Sequence, residues 1–156
     1  MAVREGGSAE QGAGLEQALA AGLLVGEPGP LLGDDLLGGA LDEVRDVCFF
    51  EKIDFAATAS PAWPVAIGDR IIDRWLVTGM ETHVCVFQTV RALRDDRGTV
   101  HVVADACASR TKANFKHGLA LAAATGAVVT NTETVVFDLL GRAGTDDFRA
   151  LSKLLK

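Results

Sequence analysis

Basic residues are scarce in this 156-residue chain: 15 Lys and Arg stand against 21 Asp and Glu, giving a net charge of −6 and a pI near 5.0. They are scattered rather than clustered. Phosphate backbones and anionic membrane surfaces both require basic patches, so neither a nucleic acid nor a membrane is expected as the main partner. Long apolar runs are missing as well. No stretch approaches the roughly 20 residues that span a bilayer, and the N-terminus lacks the basic, apolar and small-residue succession of a secretory signal. A cytoplasmic location is the expectation. The three cysteines, Cys48, Cys85 and Cys107, have no CxxC spacing. An odd number without that spacing argues against a disulfide framework and against a zinc knuckle.

Apolar residues make up 49% of the chain, enough for one core and therefore one domain. Residues 1–14 are rich in Gly, Ser and Glu and have no periodic apolar positions, which predicts a flexible tail ahead of a domain over 15–156. From Leu15 to Val25 the pattern suits a short helix leading to a weak strand, and Gly26 to Gly39 reads as a loop. Four apolar runs predict buried strands: Val47 to Phe50, Arg74 to Thr78, Thr99 to Ala104 and Ala127 to Thr130. Between and after them lie helical stripes. Val86, Val90 and Leu93, joined by Phe87, form one; Phe115, Leu119 and Ala122 form another, with Thr111 as cap and Gly126 as stop. Thr132 is the expected cap of a helix through Val135, Val136, Leu139 and Leu140, and Thr145 begins a last one through Phe148, Leu151 and Leu155.

Strands apolar on both faces and separated by amphipathic helices predict an α/β fold, a three-layer α-β-α arrangement around a parallel sheet with right-handed crossovers. Ligands in such folds bind beyond the carboxyl ends of the strands. Lys52, Cys85 and Asp105 each follow directly on, or end, a predicted strand. The segment from Trp75 to Phe87, WLVTGMETHVCVF, reads as a strand running through a tight turn into a helix, with Cys85 in the first helical turn. Unpaired N–H groups and the helix dipole there favour a thiolate. The plainer alternative is a small buried core residue.

Lys52, in FFEKIDF, could stabilise that thiolate or a developing anion, or be a solvated surface lysine. Asp54 shares its face and is the reserve acid. His83 is too close in sequence to form a direct pair with Cys85 and is read as positional or substrate-facing. His101 in a strand and His117 in a helix have no partner at metal-ligand spacing, which makes them core or surface histidines. Asp105 has a structural alternative, accepting backbone N–H bonds from the turn that follows it. Trp63, between Pro61 and Pro64, could wall a pocket or anchor the core.

Four blocks in order carry a resemblance: VTGMETHVCVFQT, VHVVADACASR, TGAVVTNTETVVFDLLG and DFRALSKLLK. Together they make the stretch from Trp75 to Lys156 resemble the isochorismatase-like hydrolases, or cysteine hydrolases, in the branch of isochorismatase-domain-containing proteins. The resemblance implies a triad of Asp, Lys and Cys, with Cys85 as nucleophile and Lys52 as its lysine. It also implies an oxyanion hole from the backbone N–H groups of Glu81 and Cys85, with a cis Met80–Glu81 bond. Met80, His83, Phe55 and Trp63 are the candidate substrate contacts. The family's aspartate follows a first strand in an Asp-x-Gln pattern, and this chain shows neither; Asp34 and Asp35 come after Leu23 to Glu27, which looks like the family's second strand.

The resulting expectation is an isochorismatase-like fold lacking its first strand. It would hydrolyse a C–N bond of a small amide-like substrate through a covalent Cys85 intermediate, with reduced activity, since losing a positioned base costs about two to four orders of magnitude. The alternative is an inactive, truncated paralogue that serves binding or assembly. Assembly into a homo-oligomer would cover exposed sheet edges. No cofactor is implied, and the acid-x-His arrangement that supplies metal ligands in the nicotinamidase branch is absent, so no metal is expected.

Overall fold

The structure, a computed structural model, describes residues 21–25, 50–96 and 98–155. The expected tail, the helix before Ala21, the loop from Gly26 to Gly39 and most of the run from Val47 to Phe50 lie outside these residues, as do Asp34, Asp35 and the position of a first family strand. Phe50 itself is not in a strand. Four parallel strands form one sheet in the order β1-β2-β3-β4, namely β1 (Ala21–Val25), β2 (Arg74–Met80), β3 (Thr99–Ala108) and β4 (Val128–Thr130). The helices are α1 (Trp63–Ile67), α2 (Phe87–Asp95), α3 (Lys112–Ala124), α4 (Thr132–Leu140) and α5 (Asp146–Leu154). A parallel sheet flanked by helices is the α/β arrangement expected from the alternation of patterns. No helix of the described residues is long and apolar enough to cross a membrane.

The core forms where strand and helix periodicities meet. Trp75 and Val77 alternate along β2, Val100 and Val102 along β3, and Val86, Val90 and Leu93 recur at helical spacing, and all seven are buried. Full burial of one such aliphatic side chain is worth about 1.5–3 kcal/mol. Ala122 of α3 completes this cluster, with Leu119 packed against it. At one end, the Trp75 ring stacks on Trp63 at 5.5 Å, and Phe50 meets Trp63 edge-on at 6.5 Å. Trp63 therefore anchors the start of α1 to the core. The opposite edge is thinner: Val128 and Val129 of β4 are exposed, and α4 and α5 contribute no buried residue.

Two strands run further than their apolar patterns indicate. β2 continues through Gly79 to Met80, and β3 through Asp105 to Ala108. Val77 pairs with Val102, but Gly79 pairs with Cys107, so two positions along β2 correspond to five along β3. The extra residues of β3 bulge out, and a bulge redirects side chains near a strand end. It turns Asp105 toward α4, where its carboxylate accepts from the Thr132 N–H at 2.8 and 3.1 Å and from the Thr132 hydroxyl at 3.0 Å. Asp105 is thus structural, but its donor lies 27 residues on rather than in the adjacent turn. Thr132 is engaged there, and the cap of α4 is instead Asn131, whose side chain accepts from Thr134 N at 2.7 Å. Thr111 and Thr145 cap α3 and α5 as their positions suggest.

Candidate active site

At the carboxyl end of β2 the chain leaves the sheet through Gly79, whose φ of +116° is open to glycine and strained for other residues. The Met80–Glu81 peptide that follows is cis. Thr82–Val86 then form a single π-helical turn, and α2 proper begins only at Phe87. The carbonyl of Glu81 accepts from Val84 N at 3.0 Å and from Val86 N at 3.2 Å. Cys85 lies between those two residues. The wider turn places it ahead of the regular helix on which the sequence pattern puts it, and π-turns of this kind are frequent at functional sites. Its side chain is a free thiol, 4% exposed.

This turn is fastened from the end of β3. Thr82 N donates to Ser109 Oγ at 3.1 Å, and Thr82 Oγ1 donates to the carbonyl of Ala108 at 2.8 Å. The His83 ring lies between two partners, with Nδ1 3.2 Å from Ser109 Oγ and Nε2 3.4 Å from Glu81 Oε2. The Arg110 Nε sits 2.9 and 3.1 Å from the two carboxylate oxygens of Glu81. From the other side α3 presses Gly118 against the turn. A Cβ at that position would stand 2.6 Å from both His83 N and Thr82 C. Gly118 carries no chemistry, so no motif reading singles it out; an isolated glycine inside a helical pattern is the one signal it gives.

Lys52 belongs to a separate loop. Its Nζ donates to the carbonyls of Asp54 at 2.8 Å and Phe55 at 3.2 Å, so it is the backbone of Asp54 rather than its carboxylate that meets the lysine. A few residues on, Ala57 N donates to Thr89 Oγ1 at 2.9 Å. That buried bond joins the lysine loop to α2 one helical turn beyond Cys85, and the sequence gives no hint of it. Phe55 and Met80 are both exposed. Trp63, by contrast, is committed to its stack on Trp75.

His117 is exposed on α3. His101 lies in β3 with a buried Nδ1 that has no hydrogen-bond partner. Cys107, opposite Gly79, has its thiol pKa raised to about 11, because burial penalises the thiolate and the Asp105 charge adds to this, while a backbone hydrogen bond at Gly79 works the other way. Among the described residues no group of three His, Cys, Asp or Glu side chains could hold a metal ion.

Comparison with known proteins agrees with this fold. Residues 15–134 match the isochorismatase domain. A secreted isochorismatase effector of Phytophthora sojae is 36% identical over 118 residues, covering 74% of this chain and 56% of that protein. The bovine isochorismatase domain-containing protein 2 is 37% identical over 81 residues, 52% of this chain and 40% of its own length. Among solved structures, a MAR1 ribonuclease from Caenorhabditis elegans superimposes with a TM-score of 0.60 at 28% identity, over 68% of this chain and 54% of that one. The nicotinamidase from Bacillus subtilis shares the fold with a TM-score of 0.56 at 21% identity, over 65% and 57% of the two chains. The chain thus spans about half the length of the relatives it matches. With an isochorismatase-domain match across most of its length and a fold shared with solved relatives, the chain belongs to the isochorismatase family.

Proposed function

We propose that this chain acts as a cysteine hydrolase on a C–N bond of a small amide-like substrate. The observation that carries the reading is the placement of Cys85 in a fastened turn between the carboxyl end of β2 and the start of α2. The Cys85 thiolate attacks the amide carbonyl carbon, and the C–N bond breaks as the amine leaves with a proton. Water then cleaves the thioester and releases the acid and the free thiol. Lys52 supplies positive charge to the developing anion, and the backbone N–H groups of Glu81 and Cys85 receive the carbonyl oxygen as it becomes an oxyanion. Met80, Phe55 and His83 border the substrate.

In this reading turnover is slow, because Lys52 Nζ is already engaged by the carbonyls of Asp54 and Phe55 and is only partly available to the developing anion. The same observation favours a second reading, an inactive member of the family that retains the fold for binding. An RNA substrate, which the name of the Caenorhabditis elegans ribonuclease implies for that protein, is disfavoured here by a net charge of −6.

A panel of small primary amides, assayed against the protein and its Cys85→Ala variant, decides between them. The expected result is turnover by the unaltered chain, a loss of about 10³-fold or more in the variant, and an acyl adduct on Cys85 by mass spectrometry. Equal rates for the two proteins would dismiss catalysis at Cys85 and leave the binding role.

A further inference from the structure

Ser109 and Arg110, at the end of β3, touch the Cys85 turn more than any catalytic scheme for Cys85 and Lys52 requires. Ser109 Oγ serves two consecutive residues of the turn, accepting from Thr82 N at 3.1 Å and meeting His83 Nδ1 at 3.2 Å. Thr82 is fully buried, so its N–H has no recourse to solvent if that acceptor is lost. Such an orphaned buried donor costs about 1–3 kcal/mol, enough to displace a short turn. The neighbouring residue works on charge. The Glu81 side chain is only 20% exposed, and the Arg110 guanidinium, itself 70% exposed, covers both of its oxygens at 2.9 and 3.1 Å.

Both contacts fall on residues two to four positions before Cys85, and both come from one dipeptide that directly follows β3. We infer that Ser109 and Arg110 are positioning residues, which hold Thr82 and Glu81 so that the Cys85 thiol and the adjacent N–H groups keep the orientation that attack requires. Ser109 does this by fixing the backbone of the turn and the ring of His83. Arg110 does it by holding the Glu81 carboxylate in place and neutralising it, because an uncompensated carboxylate beside the turn would oppose a thiolate. The inference rests on the reading of Cys85 as a nucleophile.

The test measures alkylation of Cys85 by iodoacetamide at neutral pH, resolved by peptide mass spectrometry, with N-acetylcysteine as the unactivated thiol. In the unaltered protein Cys85 should react faster than N-acetylcysteine. Ser109→Ala should lower the Cys85 rate about tenfold, and Ser109→Thr, which keeps the hydroxyl, should restore most of it. Arg110→Gln should lower it several-fold, with Arg110→Lys intermediate. Because Arg110 is largely exposed, its substitution leaves the core intact and remains informative should Ser109→Ala fold poorly. Rates for Ser109→Ala and Arg110→Gln equal to that of a fast unaltered protein would overturn the positioning role alone. A Cys85 no faster than N-acetylcysteine in the unaltered protein would sink the nucleophile reading and the positioning role with it.

Discussion

The turn that carries Cys85 is fastened to β3 and α3, whereas the loop that carries Lys52 is tied to its own backbone and, through the buried Ala57–Thr89 bond, to α2. On the cysteine side Ser109, the carbonyl of Ala108 and Gly118 all bear on Thr82 and His83. On the lysine side Nζ bonds to carbonyls two and three residues away, while Ile53 is 99% exposed. On the proposed function, the difference separates two tasks. A nucleophile and the N–H groups beside it must be set to a fraction of an ångström by their surroundings. A loop of exposed apolar residues around a long flexible lysine can adjust to what arrives, and such loops are drawn from the less stable end of a fold.

The largest test of this contrast attacks the fastened side. Gly118→Ala adds a methyl group that would sit 2.6 Å from backbone atoms of Thr82 and His83, neither of which is the flexible end of a side chain. Replacing glycine by alanine within a helix gains up to about 1 kcal/mol. Overpacking a rigid contact costs about 1–3 kcal/mol or more, and with backbone on both sides the upper end applies. Urea unfolding should therefore show a net loss of about 2 kcal/mol, together with a slower reaction of Cys85. A variant as stable as the parent would mean that α3 can retreat and that the turn is not fastened from that side.

The next test cuts the link between the two regions. Thr89→Val keeps the shape of the side chain but removes the oxygen that accepts from Ala57 N, and both residues are fully buried. Leaving that N–H unpaired should cost about 1–2 kcal/mol in urea unfolding. Hydrogen exchange should rise at Ala57 and along the lysine loop while the Cys85 turn keeps its protection. If protection fell equally in both regions, they would form one cooperative unit and the contrast between them would fail.

The sequence shows these two sides unequally. The strands β2 and β3, the stripe of Val86, Val90 and Leu93, and Cys85 at the carboxyl end of a strand are all legible, because periodic burial and strand-to-helix turns are properties of neighbouring residues. What is hidden depends on residues far apart in the chain. The bulge that re-aims Asp105 is a matter of register between strands, so Asp105 reads as a strand-end acid and Thr132 as a cap until both are seen to meet. The Ala57–Thr89 bond spans 32 residues and the Thr82–Ser109 bond 27. Serine and threonine in those positions have no local pattern to distinguish them from surface residues. Trp63 is ambiguous from sequence for a similar reason, since its partner Trp75 lies on another element.

The smallest effect concerns how dry the fastened side is. Cys107 faces the end of β2, with its Sγ 4.0 Å from the carbonyl of Val77, and its thiol pKa is raised from 9.0 to about 11, chiefly by burial. Well below pH 9 the thiol is protonated in both the folded and the unfolded chain, so it adds no pH dependence there. As the pH rises from about 9 toward 11 the unfolded chain gives up this proton first, which favours unfolding. Stability should therefore decline across that window and decline less in Cys107→Ala. The chain contains no tyrosine, and every other ionisable group is common to both proteins, so the difference between the two pH profiles isolates Cys107. Parallel profiles would show that water reaches the thiol. The ladder between Gly79 and Cys107 would then be too open to serve as the wall against which the Cys85 turn is set.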